Sequence, residues 1–169
     1  MTELTHIDTD GNAVMVDIMK KNESERIAIA AGSIFMKSTT LELINKRAVK
    51  KGDVLSIAQI AGIMGSKRTP DLIPLCHPIN LTSVNLILTP NINESSIRIE
   101  ATCKVVGKTG VEMEAIMGVN AALITIYDLS KIVNPHLRID NVKLLIKEGG
   151  KSGLWTNPDG LPKFLNNIF

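Results

Sequence analysis

The chain has 169 residues, enough for one domain with a continuous core and short for two. A hydrophobic share of 44% and a charged share of 21% are those of a globular protein, but only 3% of residues are aromatic, so the core is aliphatic and stacking platforms for nucleic acid are not expected. The net charge of +2, with both signs interspersed, leaves no basic stripe for a polyphosphate backbone. Cys76 and Cys103 form no C-x-x-C pair and follow no secretory signal, which points to reduced thiols and a cytoplasmic setting. The longest apolar run, residues 115–127, is too short to span a bilayer, so no membrane partner is expected.

In chain order, Thr5 to Gly11 is turn chemistry centred on Asp10-Gly11, and residues 13–18 form a short extended flap or edge. Residues 25–36 alternate partly and read as a strand, after which Ser38-Thr-Thr40 offers an N-cap for a helix to about Ala48. Gly52 breaks that helix and Asp53 caps the next, residues 54–68, whose Ile57, Ile60, Ala61 and Met64 read as a core stripe. Prolines at 70, 74 and 78 make the segment through Cys76-His77 a connector from which helix is excluded at most positions.

Residues 81–88 and 96–106 are two strands joined by the turn Pro90-Asn-Ile-Asn-Glu94, the second alternating through Ile97, Ile99, Ala101 and Cys103. Residues 110–131 are the longest periodic segment. Ala115, Val119, Ala122, Leu123, Ile126 and Val133 recur at helical spacing while Ile116, Ile124 and Leu129 make the other faces apolar, the pattern of a buried helix. Asn134-Pro135 stops it, residues 142–146 form a last strand, and a glycine-rich turn follows at 149–153. The order is βαββαβ, an α+β ferredoxin-like domain with an antiparallel sheet and helices on one face, occupying residues 1–169 as a single unit. Residues from about 155 to 169 read as a loosely packed peripheral tail.

Charge on the long helix is confined to its ends. Glu112 and Glu114 stand in the first turn, favoured by the helix dipole, and Asp128 and Lys131 stand three apart near the last, the spacing of an ordinary helical ion pair. Glu114 and Asp128 are fourteen residues apart, roughly 21 Å at the helical rise. Either one end alone is functional, or a second copy completes a site shared between subunits. Gly107-Lys108-Thr109 and Gly150-Lys151-Ser152 lack the first glycine of a phosphate loop, and the two glutamates would repel a phosphate from that helix end. His77 beside Cys76 suits acid/base work, but without further ligands at metal spacing it reads equally as a loop histidine, and no metal site is expected. Lys147, Lys151 and their glycines suit an anion site or a plain strand-end turn.

Taken together these strings form a recognisable pattern. Met15-Val-Asp17, Lys51-Gly-Asp-Val54, Ile60-Ala-Gly-Ile-Met64, Lys67-Arg-Thr69, Leu72-Ile-Pro-Leu-Cys-His-Pro78, Lys108-Thr-Gly-Val-Glu-Met-Glu114, Thr125-Ile-Tyr-Asp128, Lys131 and Lys147 with Gly149-Gly-Lys-Ser-Gly153 closely resemble the cyclic pyranopterin monophosphate synthase family of molybdenum cofactor biosynthesis. The resemblance covers nearly the whole chain up to Trp155. It implies a homohexamer, a trimer of dimers with interface active sites, and a purine-derived triphosphate substrate. The implied reaction converts 3′,8-cyclo-7,8-dihydro-GTP to cyclic pyranopterin monophosphate with release of pyrophosphate.

Carried over by position, Asp128 and Lys131 would be an acid/base pair and Lys51 a further proton-transfer or charge-stabilising group. Leu75, Cys76, His77, Met113 and Glu114 would line the substrate pocket, supported by Glu112, with Lys21, Arg26, Lys67 and Lys147 on the triphosphate. No cofactor is required by the sequence, which is silent on a divalent metal accompanying the triphosphate. The chain departs from the family pattern at Gly65-Ser66, where Ala-Ala is expected, at Ser24, where Thr is expected, and at Gly118-Val-Asn120. Gly118 should cost the helix roughly 1 kcal/mol relative to Ala unless close packing needs it. Two rival readings are a catalytically silent nucleotide-binding oligomer and a purely structural oligomer built on the apolar helix.

Overall fold

The computed structural model describes residues 6–50 and 52–159, with Ser152 described by its backbone alone. The expected proton-transfer residue Lys51 lies outside the described residues. Strand β1 (Ser24–Phe35) is followed by α1 (Ser38–Asn45), α2 (Val54–Lys67) and the short α3 (Thr69–Leu72). Then come β2 (Ser83–Asn91), β3 (Ser96–Gly107), α4 (Glu112–Ser130), β4 (Arg138–Glu148), a 3₁₀ turn (Gly150–Ser152) and β5 (Trp155–Thr156). All strand pairs are antiparallel and the spatial order is β2-β3-β1-β4-β5. The first four strands thus stand as 4-1-3-2, the ferredoxin-like arrangement expected from βαββαβ.

Alternation puts one face of this sheet into the core. Ala28, Ala30 and Ile34 of β1 and Ile97, Ile99, Ala101 and Cys103 of β3 turn inward against Val119, Ala122, Leu123 and Ile126 of α4. Gly32 is needed because a Cβ there would fall 2.9 Å from Leu123, Val119 and Val142, closer than packed carbons approach.

Several expectations are corrected. The first helix is capped by position 37, not 38: Lys37 is the N-cap and makes no side-chain cap bond, while Ser38-Thr-Thr40 lie inside the helix. Asp53 does cap α2, its carboxylate accepting from the Ser56 N–H at 3.1 Å. The proline connector contains a helical turn, because Pro70 sits in the first turn of α3, where a missing N–H costs nothing. The last long strand runs over Arg138–Glu148 and carries a bulge against β1, and Asn141 takes a positive φ; these irregularities hide its alternation from sequence. Trp155 and Thr156 pair with Lys147 and Ile146, so the tail begins as a strand.

The most informative correction concerns α2. Its inward face is Val54, Ala58, Gly62 and Ser66, four apart, whereas Ile57, Ile60 and Met64 of the expected core stripe point outward, Ile60 being 60% exposed. Small residues let α2 settle closely on α4. A Cβ at Gly62 would lie 2.9 Å from the Gly118 carbonyl, and one at Gly118 would fall on Ser66 Oγ, with the Gly62 carbonyl at 3.3 Å and Ala101 Cβ at 3.4 Å. Gly118 and Ser66 are therefore one packing unit, in which the missing methyl leaves room for the hydroxyl. On α4, Ile124 also lies outward, as does Val133 beyond it, so the long helix is not covered all round in the single chain.

Candidate active site

The connector after α3 and the loop from β3 into α4 bring distant residues to one end of the sheet. His77 lines a cleft of about 180 Å³ with Ile18, Asn80 and residues 105–109. Its Nε2 lies 2.8 Å from the Val16 carbonyl. A carbonyl only accepts, so Nε2 carries the proton and Nδ1 is the ring's basic nitrogen. Lys108 reaches the same N-terminal segment, donating to the Met19 carbonyl at 3.0 Å. The segment expected as a flap thus crosses this cleft and is tied down on both sides.

A second, tighter cleft lies beside it, lined by Arg26, Gly110, Glu112, Lys147, Gly149 and Lys151. Lys147 Nζ is 3.3 Å from Glu112. The Arg26 guanidinium donates through Nε to the Gly107 carbonyl at 2.9 Å, fixing the loop that leads into α4. Gly149 and Gly150 take φ of 104° and 70°, and side chains on either would run into the backbone beside Arg26 or its guanidinium. The glycine pair therefore lets the chain close over Arg26. Three cations outnumber the two carboxylates, Glu112 and Glu148, that also line the cleft, and with the glycine backbone they make this a place for an anion.

Glu112 and Glu114 share the first turn of α4 but meet different surroundings. Glu112 faces the cations, while Glu114 is 2% exposed, and its Oε2 has no hydrogen-bond partner among the described residues. Burial pushes the Glu114 pKa upward, its own main-chain N–H opposes this, and the Glu112 charge adds to the rise. Burial also raises the Cys76 thiol, with a further contribution from the Glu114 charge. Cys103, on β3 behind it, is pushed up to about 11 by burial and is an inert core thiol. Leu75, Cys76, His77 and Met113 are all partly buried.

Asp128 and Lys131 form an ion pair of 2.6 Å on the surface at the opposite end of α4. Hydrogen bonding to Asp128, and then its charge, raises the Lys131 pKa. One chain therefore sets His77 in one cleft and gathers Arg26, Lys147 and Glu112 in the next, but leaves Asp128 about 21 Å and Lys131 about 25 Å along the helix axis from Glu114. Lys21 and Lys67 are exposed, Lys67 in the last turn of α2. Sequence reasoning did not foresee the roles of the Val16 and Met19 carbonyls or of the Lys108 ammonium. Backbone acceptors leave no trace in residue type, and Lys108 carried only a motif position.

Fold and site together define a ferredoxin-like α+β protein in which acids, a histidine and cations converge on clefts suited to an anionic small molecule. The sequence pattern of the MoaC family matches residues 15–150, and the chain belongs to that family. The chain is 56% identical over 153 residues to a Rhodospirillum rubrum protein named cyclic pyranopterin monophosphate synthase, with 90% of this chain and 92% of the relative covered. Proteins of the same name from Syntrophomonas wolfei and Thermomicrobium roseum are 57% and 45% identical, covering 88% and 94% of this chain and 95% and 96% of theirs. Among the described residues no helix is long and apolar enough to cross a membrane.

Proposed function

We propose that the chain converts 3′,8-cyclo-7,8-dihydro-GTP to cyclic pyranopterin monophosphate and pyrophosphate, a step of molybdenum cofactor biosynthesis. The observation that carries this reading is family membership, joined to 56% identity with a named synthase over nine-tenths of both chains. The reaction opens and rebuilds a heterocycle, and a sugar hydroxyl attacks the α-phosphorus. The bond to the β-phosphate breaks, a cyclic phosphate forms and pyrophosphate leaves. Several protons move, and the site offers groups of different protonation to move them: Nδ1 of His77 as a base, Glu114 biased by burial toward its neutral form as a donor, and the Asp128–Lys131 pair. Arg26 and Lys147, with Lys21 and Lys67, supply positive charge for the phosphates, and Lys51 adds another cation. Leu75, Cys76 and Met113 shape the ring pocket, and no resident cofactor enters this account.

The same reading makes the working form a cytoplasmic homohexamer, a trimer of dimers in which one chain's Glu112–Glu114 end meets its partner's Asp128–Lys131 end. The length of α4 supports the sharing, since one small substrate cannot contact both ends of a single copy. The outward Ile57, Ile60, Met64 and Ile124 supply apolar surface of the kind subunits bury, and two unpaired thiols suit a reducing compartment. The test is release of pyrophosphate and cyclic product from the purified substrate. Turnover supports the assignment; substrate binding without release refutes it in favour of a silent nucleotide binder.

A further inference from the structure

The string Met15-Val-Asp17 contributes no residue to the lining of either cleft, yet its neighbour Ile18 lines the one that holds His77. Residues 14–18 belong to no helix or strand. Between residues 11 and 22 only Val16 and Ile18 are partly buried, and Met19 is 77% exposed. Apolar burial therefore does little to fix this segment, and its path is set by hydrogen bonds. The Val16 carbonyl accepts from His77 Nε2 at 2.8 Å, and the Met19 carbonyl accepts from Lys108 Nζ at 3.0 Å. Both donors line the same cleft. In extended chain, carbonyls three residues apart point to opposite sides, so a straight segment could not satisfy both. Asp17 supplies the bend. Its carboxylate accepts the Met19 N–H at 2.7 Å, a turn in which an aspartate side chain replaces a backbone acceptor, and the Lys21 N–H donates to the Ile18 carbonyl at 3.1 Å just beyond.

We propose that Asp17 is a positioning residue for His77: its turn holds the Val16 carbonyl against Nε2, which keeps the ring proton on that nitrogen and leaves Nδ1 as the basic one. The inference rests on the reading of His77 as a base in the reaction proposed above. A carbonyl that only accepts selects one tautomer and fixes the plane of the ring, and a base serves only when its lone pair is aimed. Asp17 itself is exposed and acts through the backbone between two anchors, without touching the substrate. The turn needs an acceptor oxygen at the Oδ1 position and not a charge, so asparagine should replace aspartate here and alanine should not.

The test compares the full chain with Asp17→Asn and Asp17→Ala, each carrying ¹⁵N-labelled histidine and observed by NMR without substrate. The His77 ring N–H is assigned by its loss in His77→Gln. It should lie on Nε2 and exchange slowly with water in the unmutated chain and in Asp17→Asn, and be lost to exchange in Asp17→Ala. Because Asp17 is exposed, the core of each variant stays intact. In the pyrophosphate-release assay, kcat of Asp17→Ala should fall about 10-fold or more while Asp17→Asn stays within about twofold of the unmutated chain. A slow His77 N–H that persists in Asp17→Ala, one that is missing or on Nδ1 in the unmutated chain, an unchanged kcat for Asp17→Ala, or an Asp17→Asn that behaves like Asp17→Ala would each overturn the proposal. If the unmutated chain releases no pyrophosphate, the proposed reaction fails, and the NMR comparison still decides whether Asp17 holds His77.

Discussion

Gly118→Ala is the substitution for which local and tertiary arguments give opposite signs. In an isolated helix it stabilises by about 1 kcal/mol, because alanine restricts the unfolded chain and glycine does not. In this fold the new methyl falls on Ser66 Oγ, and the alternatives are closed by the Gly62 carbonyl at 3.3 Å and Ala101 Cβ at 3.4 Å. Backbone carbonyls in a helix do not yield, so α2 and α4 must separate or Ser66 must turn away and lose its contact with Cys103 Sγ at 3.7 Å. Overpacking of this kind costs about 1–3 kcal/mol, which outweighs the propensity gain and leaves a net loss of about 1 kcal/mol. For a chain of this length that is a fall of about 2–4 °C in melting temperature at fixed protein concentration. Ser66→Ala removes the atom the methyl would strike, so the double variant should be more stable than Gly118→Ala alone, with a coupling of about 1 kcal/mol in urea unfolding. A rise in stability for Gly118→Ala alone, or strict additivity with Ser66→Ala, would refute the packing argument.

Glu114→Gln should abolish product formation yet raise the melting temperature near pH 8. The native carboxyl holds its proton more tightly than the unfolded one, so its contribution is full below the ordinary value of 4.5 and is lost as pH rises through the elevated native value. The gain should therefore shrink to nothing by about pH 4, and an equal gain at both pH values would contradict it. Lys147→Ala should raise KM for the triphosphate by roughly 10-fold or more, as expected for loss of one charge-assisted hydrogen bond, with a smaller effect on kcat; steady-state kinetics decide. Lys108→Met should loosen the N-terminal segment, seen as faster amide exchange over residues 16–21, whereas unchanged exchange would mean that the Met19 contact does not hold it.

Much of the fold was legible where a physical constraint acts on neighbouring residues. The alternation of Ile97, Ile99, Ala101 and Cys103 marked β3, the cap at Asp53 marked α2, and the long periodic run marked α4. Reading failed where partners are remote. Ile57, Ile60 and Met64 looked like a core stripe because large apolar groups usually face inward, but the helix contact was set instead by Gly62 and Ser66 meeting Gly118. Likewise β4 was read too short, since its bulge and the positive φ at Asn141 break the two-residue period. At the site, residue types named the chemistry of His77, Glu114 and Lys147, whereas their separation from Asp128 and Lys131 followed only from helix length. The full burial of Glu114 against the partial burial of Glu112, two residues away, was invisible in a first turn that favours both carboxylates.

The central claim is that each active site takes one end of α4 from each of two chains. Glu114→Gln and Lys131→Ala chains, each inactive alone, should be co-refolded in equal amounts and assayed for pyrophosphate release. In a mixed dimer one of the two sites receives both intact ends, and half the dimers are mixed, so recovery of about a quarter of the unmutated activity is predicted. No recovery, with mixed dimers shown to form by mass spectrometry, would place the whole site within one chain and contradict the account.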